Sequence, residues 1–146
     1  MITLIQRVSR ASVTVQGQAV GRIDRGILAL IGVEATDTPA SAARMVEKLL
    51  SYRIFSDDAG KMNLDVRQIR GGLLLVPQFT LVADTAKGTR PSFSAGAAPA
   101  QARALFEELA AAAGRAHSPV ARGVFGADMQ VELVNDGPVT FLLKSA

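Results

Sequence analysis

Two stretches of this sequence, residues 27–33 and 73–81, are almost unbroken apolar runs of strand length. A strand that carries apolar side chains at consecutive positions must be covered on both faces, because alternate side chains point to opposite sides of a sheet. Each run is followed by a segment with helical spacing. After the first, Thr38-Pro39 supplies an N-cap and a proline at the first helical position. Ala42, Met45, Val46, Leu49 and Leu50 then recur on one stripe, which predicts a helix from Pro39 to about Tyr52. After the second, Pro99 opens a helix with Leu105, Phe106 and Leu109 on one stripe and Gly114 at its end. The chain therefore contains two strand-helix units.

The remaining signals are β-type. Val13-Thr14-Val15 and Ala19-Val20-Gly21-Arg22-Ile23 flank Gln16-Gly17-Gln18 and read as a hairpin. Asp57-Asp58-Ala59-Gly60 reads as a turn, and the irregular segment from there to Gly71-Gly72 receives no assignment. Residues 82–98 read as a long ordered loop around Arg90-Pro91. Residues 120–125 are a candidate strand, and residues 128–134 and 139–144 read as two strands joined by a turn at 135–138. The expected fold class is α/β, a single domain over residues 1–146 in the order ββ(βα)2βββ. Helices lie on one side of a sheet and a second β layer on the other, in three layers α/β/β.

Composition narrows the function classes. A chain of 146 residues is one domain's worth. It has no cysteine, which removes disulfides, thiolate nucleophiles and Cys-ligated zinc, and fits a reducing compartment. No window approaches the roughly 18 apolar residues of a membrane span, and the first residues lack the pattern of an export signal. A soluble, cytoplasmic protein is expected. The formal net charge of +3 is spread along the chain with no run of Lys or Arg. That argues against duplex DNA binding as the main activity and is compatible with the end of an RNA, where few phosphates are neutralised.

Ordinary acid-base chemistry finds few candidates. His117, the only histidine, lies in a helix-to-strand loop and reads as a solvated loop residue. Asp57-Asp58 sits in a turn and Glu107-Glu108 on the outer side of a helix stripe, so both pairs read as solvated. Thr80, at the end of a buried run, is placed where α/β sites gather ligands, yet no base to activate its hydroxyl is visible. Gln78 and Phe79 read by default as a strand-end polar group and a core aromatic. Asn135-Asp136-Gly137-Pro138 between two alternating segments reads by itself as a hairpin turn.

Taken together, Gln78-Phe79-Thr80-Leu81 and Asn135-Asp136-Gly137-Pro138-Val139-Thr140 resemble the motif pair of the D-aminoacyl-tRNA deacylases. The resemblance continues in order through Leu4-Ile5-Gln6-Arg7-Val8, Arg53-Ile54-Phe55-Ser56, Gly60-Lys61-Met62-Asn63-Leu64 and Arg90-Pro91-Ser92-Phe93. It implies a homodimeric hydrolase, with no metal or organic cofactor, whose partner is the 3′-terminal adenosine end of an aminoacyl-tRNA. Gln78, Phe79 and Thr80 would line the pocket and act largely through main-chain groups, the amide of Phe79 facing the ester carbonyl. Gly137 and Pro138, joined by a cis bond, would enter the partner subunit's pocket and leave no volume for an L side chain. Arg7 would hold that loop in orientation, Phe125 and Met129 would stand near the pocket, and residues 90–93 would shape the loop over it.

One position departs from the family pattern: Pro77 stands where serine is usual, so a hydroxyl and an amide donor are both missing. The expected reaction is ester hydrolysis of D-aminoacyl-tRNA, and of glycyl-tRNA mischarged on tRNA-Ala, releasing the amino acid and free tRNA. Two alternatives stay open: a non-catalytic RNA-end binding module of the same fold, for which Pro77 is the support, and an editing hydrolase with another amino-acid preference.

Overall fold

A computed structural model describes residues 1–145. The elements are β1 (Ile2–Val15), β2 (Gln18–Ile23), β3 (Gly26–Gly32), α1 (Pro39–Ser51), β4 (Phe55–Ser56), β5 (Met62–Leu64), β6 (Gly72–Pro77), α2 (Pro99–Ala116), β7 (Val120–Arg122) and β8 (Gln130–Lys144). A short 3-10 turn over Phe79–Val82 follows β6.

A six-stranded sheet runs β2-β1-β3-β6-β7, with β8 on the other side of β1. β3 and β6 pair in parallel from Gly26↔Gly72 to Ile31↔Pro77, and β6 pairs in parallel with β7. β1 is the organising strand. Its first half lies between β3 and β8, and its second half between β2 and β8. The sheet thereby curls over itself and gains the second β layer expected from the sequence.

The two apolar runs are covered on both faces. Ile27, Ala29, Ile31, Leu73 and Leu75 point into one core with Met45, Leu49, Phe106 and Leu109 of the helices. Leu28, Leu74 and Val76 point the other way, into a core closed by Val8, Ala11, Val13 and Ile23 from β1 and β2. β3 and β6 approach most tightly where they start: a Cβ on Gly26 would lie 1.9 Å from the Gly72 carbonyl oxygen, so only glycine fits. α1 starts as its sequence predicts, with Pro39 in the first turn and the Thr38 N–H donating to Ser41 Oγ at 3.1 Å. The hairpin between β1 and β2 turns at Gln16 and Gly17, both at positive φ (49° and 79°), as a two-residue hairpin loop requires.

Several boundaries differ from the sequence expectation. The second apolar run is a strand only to Pro77. Gln78 donates its N–H to Ile31 O at 2.8 Å, β3 ends at Gly32, and with no neighbour left to pair the backbone closes the 3-10 turn instead. The unassigned segment holds a small hairpin, β4 with β5, whose turn is organised by Asp57 accepting from the Ala59 and Lys61 N–H groups. α2 runs past Gly114 to Ala116 and ends where His117 becomes extended.

The largest correction concerns the C-terminal strands. Residues 135–138 are not a hairpin turn, because the segments before and after them both pair with β1 in one antiparallel direction: Val8↔Asn135 on one side, Gln6↔Thr140 on the other. β8 is one strand. Four residues, Asp136 to Val139, stand opposite the single Arg7, so they form a wide bulge.

Candidate active site

The cleft forms where β3 and β6 end. It has a volume of about 460 Å³, and Pro77, Gln78, Phe79, Phe125, Met129 and Ala102 are among its lining residues. Four of the expected site residues, Gln78, Phe79, Phe125 and Met129, are thus brought together from two distant parts of the chain. A smaller space of about 70 Å³ lies behind Phe79, between Phe93, Phe106 and Phe125.

Phe79 is not a core aromatic: it is 64% exposed, and its ring leans on Phe93 with centroids 5.3 Å apart. Phe93 is placed there by the 82–98 loop, which the Asp84↔Ser92 bridge closes on itself and the Glu34↔Gly96 bridge ties to the end of β3. This gives the Arg90-Pro91-Ser92-Phe93 segment a physical role beside the cleft. Phe79 and Thr80 open the 3-10 turn, where N–H groups have no acceptor one turn back, and neither is engaged by another described residue. The Gln78 amide nitrogen donates to Thr80 Oγ1, so the hydroxyl is held as an acceptor and no base touches it. Among the described lining residues none is ionisable.

Pro77 fits without loss of a sheet bond. The N–H of Gln78 points to β3, so the nitrogen of Pro77 points the opposite way, toward β7. β7 has already ended at Arg122, and the last bond on that side is Gly123 N–H to Leu75 O at 2.8 Å. A proline at this position removes a donor where the ladder has stopped.

The Gly137-Pro138 bulge is clamped from two sides. Arg7, nearly buried, donates Nε–H to Asp136 O at 3.0 Å and Nη1–H to Ile54 O at 2.9 Å, and its charge lies 3.6 Å from the Asp136 carboxylate. Asn135 donates to Arg7 O at 3.0 Å and to Val139 O at 3.1 Å, bridging the strand and its own bulge. In the sequence Asn135 is one residue of the 135–140 motif, and its spacing of four residues from Val139 does not by itself imply this bridge. The Gly137-Pro138 peptide is cis, and Gly137 has φ +129°, a value that favours glycine.

Within one chain this bulge does not reach the cleft. Arg7 pairs with Ile27 near the start of β3, whereas Pro77 pairs with Ile31 near its end. Four residues along the strand and three strand spacings across the sheet put the two motifs on the order of 20 Å apart.

His117 belongs to neither place. Its Nε2 lies 2.7 Å from Gly71 O, at the opposite end of β6 from the cleft. Asp57 caps its own turn, and Glu107 pairs with Arg122 on the surface of α2, as solvated carboxylates should. No helix among the described residues is long and apolar enough to cross a membrane.

A curled α/β sheet whose strand ends open into an uncharged, mostly apolar cleft defines a site that can position a ligand, in which no described acid-base side chain lines the wall. The family model described as D-Tyr-tRNA(Tyr) deacylase matches residues 4–144, and the chain belongs to that family. It is 61% identical over 144 residues to the D-aminoacyl-tRNA deacylase of Ectopseudomonas mendocina (strain ymp), covering 99% of each chain. It is 59% identical over 145 residues to the D-aminoacyl-tRNA deacylase of Pseudomonas aeruginosa (strain LESB58), covering 99% of this chain and 100% of that one. Among solved structures, it matches a c-Myc DNA unwinding element binding protein with a TM-score of 0.94 at 38% identity, covering 100% of this chain and 99% of the other. A probable eukaryotic D-amino acid tRNA deacylase shares the fold, with a TM-score of 0.86 at 18% identity and 97% of each chain covered.

Proposed function

We propose that this chain hydrolyses the ester between a D-amino acid and the 3′ end of tRNA, releasing the amino acid and free tRNA. The observation that carries the reading is a family match over residues 4–144 in a chain whose cleft is lined by Gln78 and Phe79 and, among the described residues, by no charged side chain. An aminoacyl ester is already activated, so a held water and a stabilised oxyanion supply much of the acceleration needed. The water oxygen bonds to the carbonyl carbon, the carbon–oxygen bond to the ribose breaks, and the proton passes to the ribose oxygen. The unengaged N–H of Phe79 is the oxyanion donor in this scheme, and the vicinal 2′-hydroxyl of the terminal ribose assists the proton transfer. Thr80 and Gln78 position the substrate, while Phe125 and Met129 form the facing wall.

Chirality is read by exclusion. The carbonyl oxygens of Gly137 and Pro138, in a bulge that Arg7 holds at Asp136 O and Asn135 holds at Val139 O, occupy the space an L side chain needs. The separation of bulge and cleft within one chain supports a homodimer in which each bulge enters the partner's cleft. No metal or organic cofactor takes part, and the site of action is the cytoplasm.

The test is a side-by-side time course on D-tyrosyl-, L-tyrosyl-, glycyl- and L-alanyl-tRNA. Exclusion predicts cleavage of the first and third, since glycine has no side chain to exclude, and sparing of both L esters. Attraction of a D side chain predicts that glycyl-tRNA resists, because glycine loses the whole side-chain contact and even one missing methylene typically costs about 1–3 kcal/mol. Binding without turnover would instead favour the RNA-end module, and cleavage of L esters an editing hydrolase of other preference.

A further inference from the structure

The wall of the cleft is backed by a ladder of two arginines and two phenylalanines. Phe106 and Phe125 lie 6.5 Å apart, Arg122 stacks on Phe106 at 5.2 Å, and Arg103 stacks on Phe125 at 5.0 Å. The two arginines differ in what neutralises them. Glu107, one helical turn after Arg103 on α2, is the residue that would ordinarily pair with it. Glu107 is instead taken by Arg122. Asp128, exposed near the same wall, makes no ion pair with Arg103 either, and among the described residues no carboxylate lies within pairing distance of it. Arg103 is exposed on the surface of α2, and its guanidinium lies 3.7 Å from where a side chain on Gly126 would begin. Phe125, Gly126 and Ala127 all line the cleft, so an unneutralised, pre-oriented cation stands at the edge of a site with no charge of its own.

We infer that Arg103 is a phosphate-binding residue of this site, taking a phosphodiester of the RNA strand that leads to the esterified nucleotide. The inference rests on the aminoacyl-tRNA reading of the cleft. A guanidinium stacked on a ring keeps its edge N–H groups free for an anion, and the stack removes part of the entropy cost of holding it in place. Arg122 is the poorer candidate, because the Glu107 carboxylate already neutralises its charge and takes one of its donors. The role is binding of a remote part of the substrate, with no part in the chemistry.

The experiment compares wild type, Arg103→Gln and Arg103→Lys on two substrates: D-tyrosyl-tRNA, and 3′-O-D-tyrosyl-adenosine, which carries the ester but no phosphate. Arg103→Gln should raise KM for the tRNA about five- to tenfold with kcat within twofold, and lower the magnitude of the log-log salt slope by about 1. Arg103→Lys should recover part of the loss. On the adenosine ester the variants should match wild type. An equal loss on both substrates would mean that Arg103 merely props Phe125, and an unchanged KM and salt slope on tRNA would remove it from the site; either overturns the proposal. Failure of the underlying reading is distinguishable, because wild type would then cleave neither ester.

Discussion

Replacing Asn135 by alanine isolates the clamp on the bulge, since it removes two donated bonds without touching the Gly137-Pro138 backbone. The side-chain amide bridges Arg7 O at 3.0 Å and Val139 O at 3.1 Å, and its oxygen accepts from Thr140 Oγ1 at 3.3 Å. Thr140 is exposed and its hydroxyl can turn to water, so that contact adds little. Each of the other two bonds is worth about 1 kcal/mol net, giving a loss of about 2 kcal/mol. For a domain of this size that lowers Tm by about 4–8 °C. Asp136→Ala is the matched control. It deletes an exposed carboxylate 3.6 Å from Arg7 and keeps the carbonyl that Arg7 holds, so its cost should stay below about 1 kcal/mol. Thermal unfolding followed by circular dichroism ranks the two. In parallel, the ratio of D-tyrosyl- to L-tyrosyl-tRNA cleavage should fall for Asn135→Ala and hold for Asp136→Ala. Equal Tm shifts for both variants would refute the clamp. A destabilised Asn135→Ala with the parent's D/L ratio would show that the bulge keeps its place by other means.

His117→Ala should leave turnover within a few-fold of the parent and lower Tm by a few degrees, because the ring bonds Gly71 O at 2.7 Å far from the cleft. A hundredfold loss of rate, about 2.7 kcal/mol, would reinstate it as a general base. Thr80→Ala should keep measurable turnover, whereas a substrate whose terminal 2′-hydroxyl is replaced by hydrogen should lose most of it; an acyl-enzyme trapped on Thr80 would reverse that reading. Burial pushes the Asp65 carboxyl up, but the Gln68 N–H and the Arg67 side chain outweigh it and hold the group below its ordinary 3.8. A carboxyl lowered on folding stabilises above its unfolded value, so the contribution of Asp65 is fully present above about pH 5 and is lost as pH falls through the folded value. Asp65→Asn should therefore flatten the acid limb of a stability-against-pH curve, and an unchanged limb would exclude the effect.

The two apolar runs determined the α/β class, because strands with no polar face can only be buried between layers, and the helical stripes that follow them supply one layer. Local chemistry also determined the start of each helix and the Gln16-Gly17 hairpin, where the needed φ values belong to a few residue types. In the same way the ordered motifs at 78–81 and 135–140 carried the family, since collinear residues survive as text. What only the tertiary structure decided depends on neighbours distant in the chain. The second run stops at Pro77 because β3 stops pairing there, which residues 73–81 cannot record. Asn135-Asp136-Gly137-Pro138 has the composition of a turn whether the chain reverses or continues. It is a bulge because both flanks find a partner in β1, more than 120 residues earlier in the chain. Arg103 is likewise unremarkable on a helix surface until Arg122, brought across by β7, takes the Glu107 carboxylate that local spacing would have assigned to it.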